Sequence, residues 1–211
     1  MATFTFEGKS KAKQRKENIE WMNIWCENAN DDSLPRVALI GDSITHQSFG
    51  VAQRELKGIA HIDLLSASYS ITSEFYIRTL ENFLRGSNYA VIHYNYGLHA
   101  YNVTDDEYEE AYRHLLKLFT KHGKVIIATT TTVLTLPDMA EEQEPSKTVV
   151  HNRNERALKL AKEFGLSVDD LFSVCQKLPK DAKHPEGVHF NELGNEALGK
   201  SIAESIKKAL L

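Results

Sequence analysis

Cysteine is almost missing from this chain, whose 211 residues include only Cys26 and Cys175. Two isolated thiols, in neither a CxxC pair nor a spaced series, exclude a disulfide-stapled scaffold and a thiolate metal site. Both are expected to be buried free thiols. Also missing is any run of about 18 uninterrupted apolar residues, so no segment reads as membrane-spanning. The basic opening stretch lacks the apolar region of a secretory leader, which makes a cytoplasmic location the expectation. Nor is there an excess of one charge: 25 basic against 29 acidic residues leave a net charge of −4. That balance argues against a protein that coats nucleic acid or a membrane and favours a small-molecule substrate. GxGxxG and the phosphate-binding loop pattern are absent. The nine histidines show neither HxxxH nor Cys/His ligand spacing, so no cofactor and no metal is expected. With no repeat and no Gly/Pro/Ser-rich linker, residues 1–211 read as one domain, and nothing in them specifies an oligomeric state.

What is present is an alternation of buried strands and amphipathic helices. Val37 to Ile40, Ile62 to Leu65, Ala90 to Tyr94, Val125 to Ala128 and Leu166 to Leu171 are short apolar runs rich in branched residues, as in a parallel sheet covered on both faces. Helical spacing is read over about 12–30, with Ile19, Met22, Trp25, Cys26 and Ala29 on one stripe packed on the domain, and again over Thr72 to Arg85. Thr104 and Glu107 form a capping box ahead of Tyr108, Tyr112, Leu115 and Phe119. Ser146 to Phe164 is a further helix, and Asn191 caps a terminal one carrying Leu198, Ile202 and Ile206. The stretch from Leu136 to Ser146 reads as a surface excursion, and Thr129 to Thr132 as strand. The fold class is α/β, a three-layer α/β/α sandwich around a five-stranded parallel sheet.

In such a sheet, ligands bind beyond the carboxyl ends of the strands. There lie Gly41-Asp42-Ser43, Ser66 to Ser70, Asn95 to His99, and Glu186 to His189 before the last helix. A nucleophilic serine needs a base, a group that orients the base, and donors for the oxyanion. Ser43 sits on a turn after a buried strand, His189 can take its proton, and Glu186, three residues earlier, can hold the imidazole. Asp181 and His184 repeat the acid–histidine spacing, but Glu186 and His189 are preferred because Asn191, Gly194 and an amphipathic helix follow them. The oxyanion and substrate donors are drawn from Ser43 N–H, Ser68, Ser70, Asn95, Gly97 and His99. Tyr94, Tyr96 and Tyr101 could line a sugar platform, though packing beneath the third loop accounts for them more simply.

GDSIT at 41–45 resembles the first block of the SGNH (GDSL-type) hydrolases, and EGVHFNELG at 186–194 resembles their last. NYGLHA at 95–100 and HNRNERA at 151–157 fall in the expected order between them. The resemblance implies a flavodoxin-like α/β/α fold and hydrolysis of acyl esters, often of carbohydrates or lipids, through a serine acyl-enzyme. It implies Ser43 as nucleophile, His189 as base and Glu186 as its partner. Where the last block usually has Asp, this chain has Glu186. Where the third block usually reads GxND, it has Gly97-Leu98-His99, so that either His99 or Asn95 fills the asparagine's slot. Ser68 or Ser70 stands in for the second-block glycine. The expectation is a serine esterase acting on short-chain acyl esters, acetyl among them, at an open, shallow cleft. The alternative is a catalytically weak acyl-sugar-binding module on the same fold.

Overall fold

The computed structural model describes residues 16–100, 103–133 and 144–211. The chain begins its regular structure with β1 (Met22–Cys26), β2 (Arg36–Gly41), α1 (Ser43–Glu55) and β3 (His61–Ala67). It continues through α2 (Glu74–Arg85), β4 (Tyr89–Asn95), α3 (Asp105–Phe119), β5 (Lys124–Ala128) and α4 (Glu144–Phe164). It ends with β6 (Ser167–Asp169), α5 (Leu171–Gln176) and α6 (Glu192–Leu210). The strands form one six-stranded sheet in the order β1-β3-β2-β4-β5-β6. β1 runs antiparallel to β3, and the other pairings are parallel.

Every residue of β2 and β3 is buried, as continuous apolar runs predict for strands covered on both faces. Alternation divides β2 between two cores. Ala38 and Ile40 pack with Tyr76, Leu80, Tyr112 and Leu115 of α2 and α3, while Val37 and Leu39 pack with Ile44 and Ala52 of α1 and Ile202 and Ile206 of α6. Each such aliphatic side chain contributes roughly 1.5–3 kcal/mol on burial. Because β3 and β4 flank β2, the chain leaves β2 toward one side of the sheet and later returns to the other. The carboxyl end of β2 is therefore the switch point at which open α/β sheets bind ligands, and Ser43 is the first residue of the helix that starts there.

α1 and α6 cross closely beneath that point. A Cβ on Gly199 would lie 2.4 Å from Val51 Cβ and 2.8 Å from the Ser48 carbonyl oxygen, so the contact requires a residue without a side chain. Arg54 and Glu196 bridge the same two helices at 2.8 Å.

The structure corrects several expectations. No helix spans the described part of residues 12–30. Residues 22–26 form the antiparallel edge strand β1, and two members of the expected buried stripe, Ile19 and Trp25, are 75% and 59% exposed. Pairing with the free edge of β3 has overridden a local helical spacing that had no core to face. Cys26 lies on that strand and is exposed, whereas Cys175 is buried. The run from Leu166 to Leu171 is strand only over Ser167–Asp169, because Asp170 accepts from Ser173 N–H and caps α5 from Leu171 onward. Thr129 to Thr132 leave the sheet: Thr129 N–H still donates to the Asp169 carbonyl, but Thr130 N–H donates to Asn154 Oδ1 at 2.7 Å. α1 has no counterpart in the sequence reading, since its buried stripe of Ile44, Thr45, Ser48 and Ala52 is half polar. Tyr94 and Tyr96 are core residues, while Tyr101 and residues 136–143 of the expected excursion lie outside the described residues. No helix among the described residues is long and apolar enough to cross a membrane.

Candidate active site

The turn between β2 and α1 is organised by Asp42. Fully buried, it caps α1 by accepting from Ile44 N–H at 3.0 Å, and its second oxygen faces the N–H groups of Gly97 and Leu98 at 3.5 and 3.4 Å. One carboxylate thus ties the first loop to the third. Ser43 follows it, half-buried, at a helix start where main-chain N–H groups are unsatisfied by the helix itself.

The partner side chains come from the loop ahead of α6. Lys183 and Phe190 form an isolated bridge, His184 N–H donates to the His189 carbonyl, and Gly187 N–H donates to the His184 carbonyl. Gly187 adopts φ +80° to close the turn. Folded this way, the loop turns Glu186 back on His189. Its Oε1 accepts from the His189 main-chain N–H at 3.0 Å and from the ring at Nδ1 at 2.8 Å. A carboxylate can only accept, so Nδ1 carries the hydrogen and Nε2 is left to accept from Ser43 Oγ, 2.9 Å away. Burial opposes ionisation of Glu186, but the hydrogen bonds from main-chain N–H groups and from the His189 ring outweigh it and hold the carboxyl below its ordinary value. Glu186 is 47% exposed and His189 32%, so the arrangement is open to solvent. Ser43, His189 and Glu186 are brought together. Asp181 and His184 serve the loop instead: the Asp181 carbonyl accepts from Asn191 Nδ2 at 2.5 Å.

The expected oxyanion and substrate residues separate into distinct roles. Ser68 is committed to β1, its N–H donating to the Trp21 carbonyl and its Oγ accepting from Trp21 N–H at 2.9 Å. Ser70 Oγ is shared with Thr72, and its main-chain N–H has no acceptor among the described residues. Asn95 is wholly buried and its Nδ2 donates to the Thr129 carbonyl at 3.0 Å, an arrangement that fastens β4 to the end of β5. Gly97 supplies room, for a Cβ there would sit 2.5 Å from Thr130 Cβ. His99 is half-buried, with Nδ1 held by Glu17 at 2.9 and 3.0 Å and Nε2 without a partner among the described residues.

Three contributors escaped the sequence reading. Asp42 stands inside GDSIT next to the singled-out serine, Arg153 stands inside HNRNERA, and Glu17 stands in no motif. Arg153 is buried and donates to the carbonyls of Gly97, His99 and Ala100. An apolar cavity of about 480 Å³ is lined by Phe190 together with Val150, Phe172, Cys175, Leu178 and Lys183 among others. Ser43 is not in its walls.

No protein-family model matches the chain, and no curated protein matches it. Solved structures do. The acetylxylan esterase Axe2 from Geobacillus stearothermophilus superimposes with a TM-score of 0.64 at 15% identity, covering 82% of this chain and 94% of that one. A lipase/acylhydrolase from Enterococcus faecalis gives 0.64 at 20% identity, covering 82% and 96%. The C-terminal catalytic domain of peptidoglycan O-acetyltransferase A from Streptococcus pneumoniae gives 0.63 at 18% identity, covering 83% and 94%. A mostly parallel sheet between helices is the architecture that the sequence blocks implied, and the chain has the fold of the SGNH, or GDSL-type, hydrolases.

Proposed function

We propose that this chain is a single-domain serine esterase that hydrolyses short-chain acyl esters, acetyl esters of carbohydrates included, through an acyl-enzyme on Ser43. The observation that carries the reading is the relay from Ser43 Oγ to His189 Nε2 at 2.9 Å and from His189 Nδ1 to Glu186 at 2.8 Å. His189 accepts the Ser43 proton as Oγ attacks the ester carbonyl, and the carbonyl's electron pair moves onto oxygen. The oxyanion lies toward Ser43 N–H, with Ser70 N–H and His99 as further donors. Collapse expels the alcohol, which takes the proton from His189, and a water then repeats the sequence to free the acid and restore Ser43. Glu186 keeps the required tautomer and offsets the imidazolium charge. General-base assistance is worth about 10²–10⁴-fold in rate.

Ser43→Ala tests this directly. Hydrolysis of 4-nitrophenyl acetate and of acetylated xylo-oligosaccharides should fall to background, with melting temperature unchanged. Full activity in that variant would sink the mechanism, and saturable sugar-ester binding with no acyl-enzyme burst in the unmodified protein would favour a binding module instead. The similarity in fold to an acetyltransferase domain supports a second reading, in which a sugar hydroxyl replaces water as acceptor. Product analysis with and without an added saccharide separates transfer from hydrolysis.

A further inference from the structure

The apolar cavity lined by Phe190 has no part in the proposed reaction, since Ser43, Glu186 and His189 are absent from its walls. At about 480 Å³ it falls within the size range of small-molecule sites, which combine apolar walls with a few polar groups. Val150 of α4, Phe172 of α5, Leu178 and Phe190 supply apolar surface, and Lys183 supplies a charge. That charge is fixed by its surroundings. Lys183 Nζ donates to the Val188 carbonyl at 3.1 Å and to the Thr132 carbonyl, and it lies 3.9 Å from the Phe190 ring centre. An ammonium carries three hydrogens, and the third has no acceptor among the described residues. His151 and Lys180 add basic groups to the lining, whereas no Asp or Glu lines the cavity among the described residues. The walls are therefore apolar in area and basic in charge.

We propose that this cavity is a binding site for an amphiphilic monocarboxylate of the medium-chain fatty-acid type, whose tail packs against the apolar walls and whose carboxylate accepts the third hydrogen of Lys183. The site is separate from the Ser43 relay and does not depend on the esterase reading. A cation withdrawn from water without a counter-charge is unfavourable, and a carboxylate relieves that cost. Its tail meanwhile removes apolar wall from water. A neutral alcohol of the same length would cover the walls but leave the ammonium uncompensated. Inorganic phosphate would bring several acceptors to one remaining hydrogen and no tail for the walls. The titratable groups around the ammonium come from three elements: Cys175 of α5, His151 of α4, and Lys180 and Glu186 of the loop ahead of α6. His151 meets Glu155 at 3.3 Å. Burial brings Lys183 down to about 8, with Cys175 and Glu186 acting against it, so the ammonium remains mostly charged at neutral pH.

The experiment titrates the unmodified protein with sodium butanoate, hexanoate and octanoate and with 1-octanol, measuring affinity by calorimetry and location by amide NMR. Each added methylene should tighten binding by up to about fourfold, so octanoate should exceed butanoate by at least about tenfold. Octanoate should also bind at least about tenfold more tightly than 1-octanol, because only the acid makes a charge-assisted hydrogen bond. Its affinity should weaken as pH rises through about 8, where Lys183 loses its proton. Amide shifts should centre on Val150, Phe172 and Phe190. Lys183→Met should abolish the preference for octanoate over 1-octanol. Leu178→Trp, which keeps the ammonium and fills the cavity, should weaken both ligands, and it decides the matter if Lys183→Met fails to fold. No saturable binding of octanoate at millimolar concentration would overturn the proposal, as would equal affinity for acid and alcohol or a preference that survives in Lys183→Met. Shifts centred on Ser43 and His189 would also overturn it, by placing the acid at the proposed reaction centre instead.

Discussion

His189 Nε2 meets Ser43 Oγ at 2.9 Å across 146 residues of chain, and the meeting is built by two helices rather than by the loops alone. Ser43 opens α1 and His189 stands just ahead of α6, so the spacing between the two helices sets the spacing between the proposed nucleophile and base. Gly199 is the contact that permits it. Gly199→Val should destabilise the protein by about 1–3 kcal/mol through overpacking and lower kcat well beyond what the unfolded fraction explains. Denaturant titration alongside initial rates separates the two effects, and a rate loss that merely tracks unfolding would remove α1–α6 packing from the argument.

Glu186→Gln keeps the side chain's length but lets an amide face His189 Nδ1, which no longer fixes the tautomer. A fall in kcat on the order of 10²-fold or more is expected, with KM little altered. Because the Glu186 carboxyl is held below its ordinary value, its charge persists as pH falls through the range in which a free glutamate protonates. The triad's carboxylate should therefore contribute down to lower pH than an exposed glutamate could. A pH–rate series on both proteins checks this.

Arg153→Met leaves the carbonyls of Gly97 and His99 without their donor, while that of Ala100 keeps the Val103 N–H. At about 1–3 kcal/mol for each group left unsatisfied, the loss should be several kcal/mol unless water enters. Ala100, left-handed at φ +62°, should then relax, and with it the placement of His99. Arg153→Lys, able to reach one carbonyl but not to fork across three, should recover only part of the stability, as thermal melts would report.

Lys183 supplies a signature that does not depend on turnover. Burial brings its ammonium down to about 8, although the Nζ donates to the Val188 carbonyl at 3.1 Å and to that of Thr132 and sits 3.9 Å from the Phe190 ring centre. An unfolded lysine titrates near 10.4. Between those two values the unfolded chain binds more protons, so this residue makes stability rise with pH. Cys175 acts in the opposite sense, since burial lifts its thiol to about 11 while the unfolded chain loses that proton near 8.5. Lys183→Met should leave only the Cys175 slope, so that the stability of the variant relative to the parent falls steadily from about pH 8 to about pH 10. Equilibrium denaturation across that range tests the difference, and parallel curves would contradict it.

Five of the six strands were legible: β2, β3, β4 and β5 are runs of buried aliphatics, burial on both faces writing itself into sequence as an unbroken apolar stretch, and β6 lies within the run from Leu166 to Leu171. β1 carries no such record. Its residues are largely exposed, and only the bare edge of β3 makes them a strand. α1 escaped for a related reason: Thr45 and Ser48 occupy places on its buried side where periodicity looks for aliphatics. At the site, Ser43, Glu186 and His189 could be found because a turn after a buried strand and a three-residue acid–histidine spacing are local patterns. Ser68 and Ser70 could not be told apart, because which N–H is committed depends on Trp21. Glu17 was invisible in principle, since its partner lies 82 residues away and nothing around it forms a pattern.

The single-sided pairing of β1 gives the molecule two tiers of response to heat. Ser43 opens one helix and His189 stands just ahead of another, both helices packed on the central sheet, and the two should stay in register until the whole domain melts. Glu17 precedes a strand with one neighbour, the kind of element that opens first in local fluctuations. Modest warming should therefore detach the His99 carboxylate partner while the nucleophile and base remain assembled. Hydrogen exchange of the β1 amides would then quicken several degrees before turnover fails, an ordering that a uniformly cooperative domain could not produce.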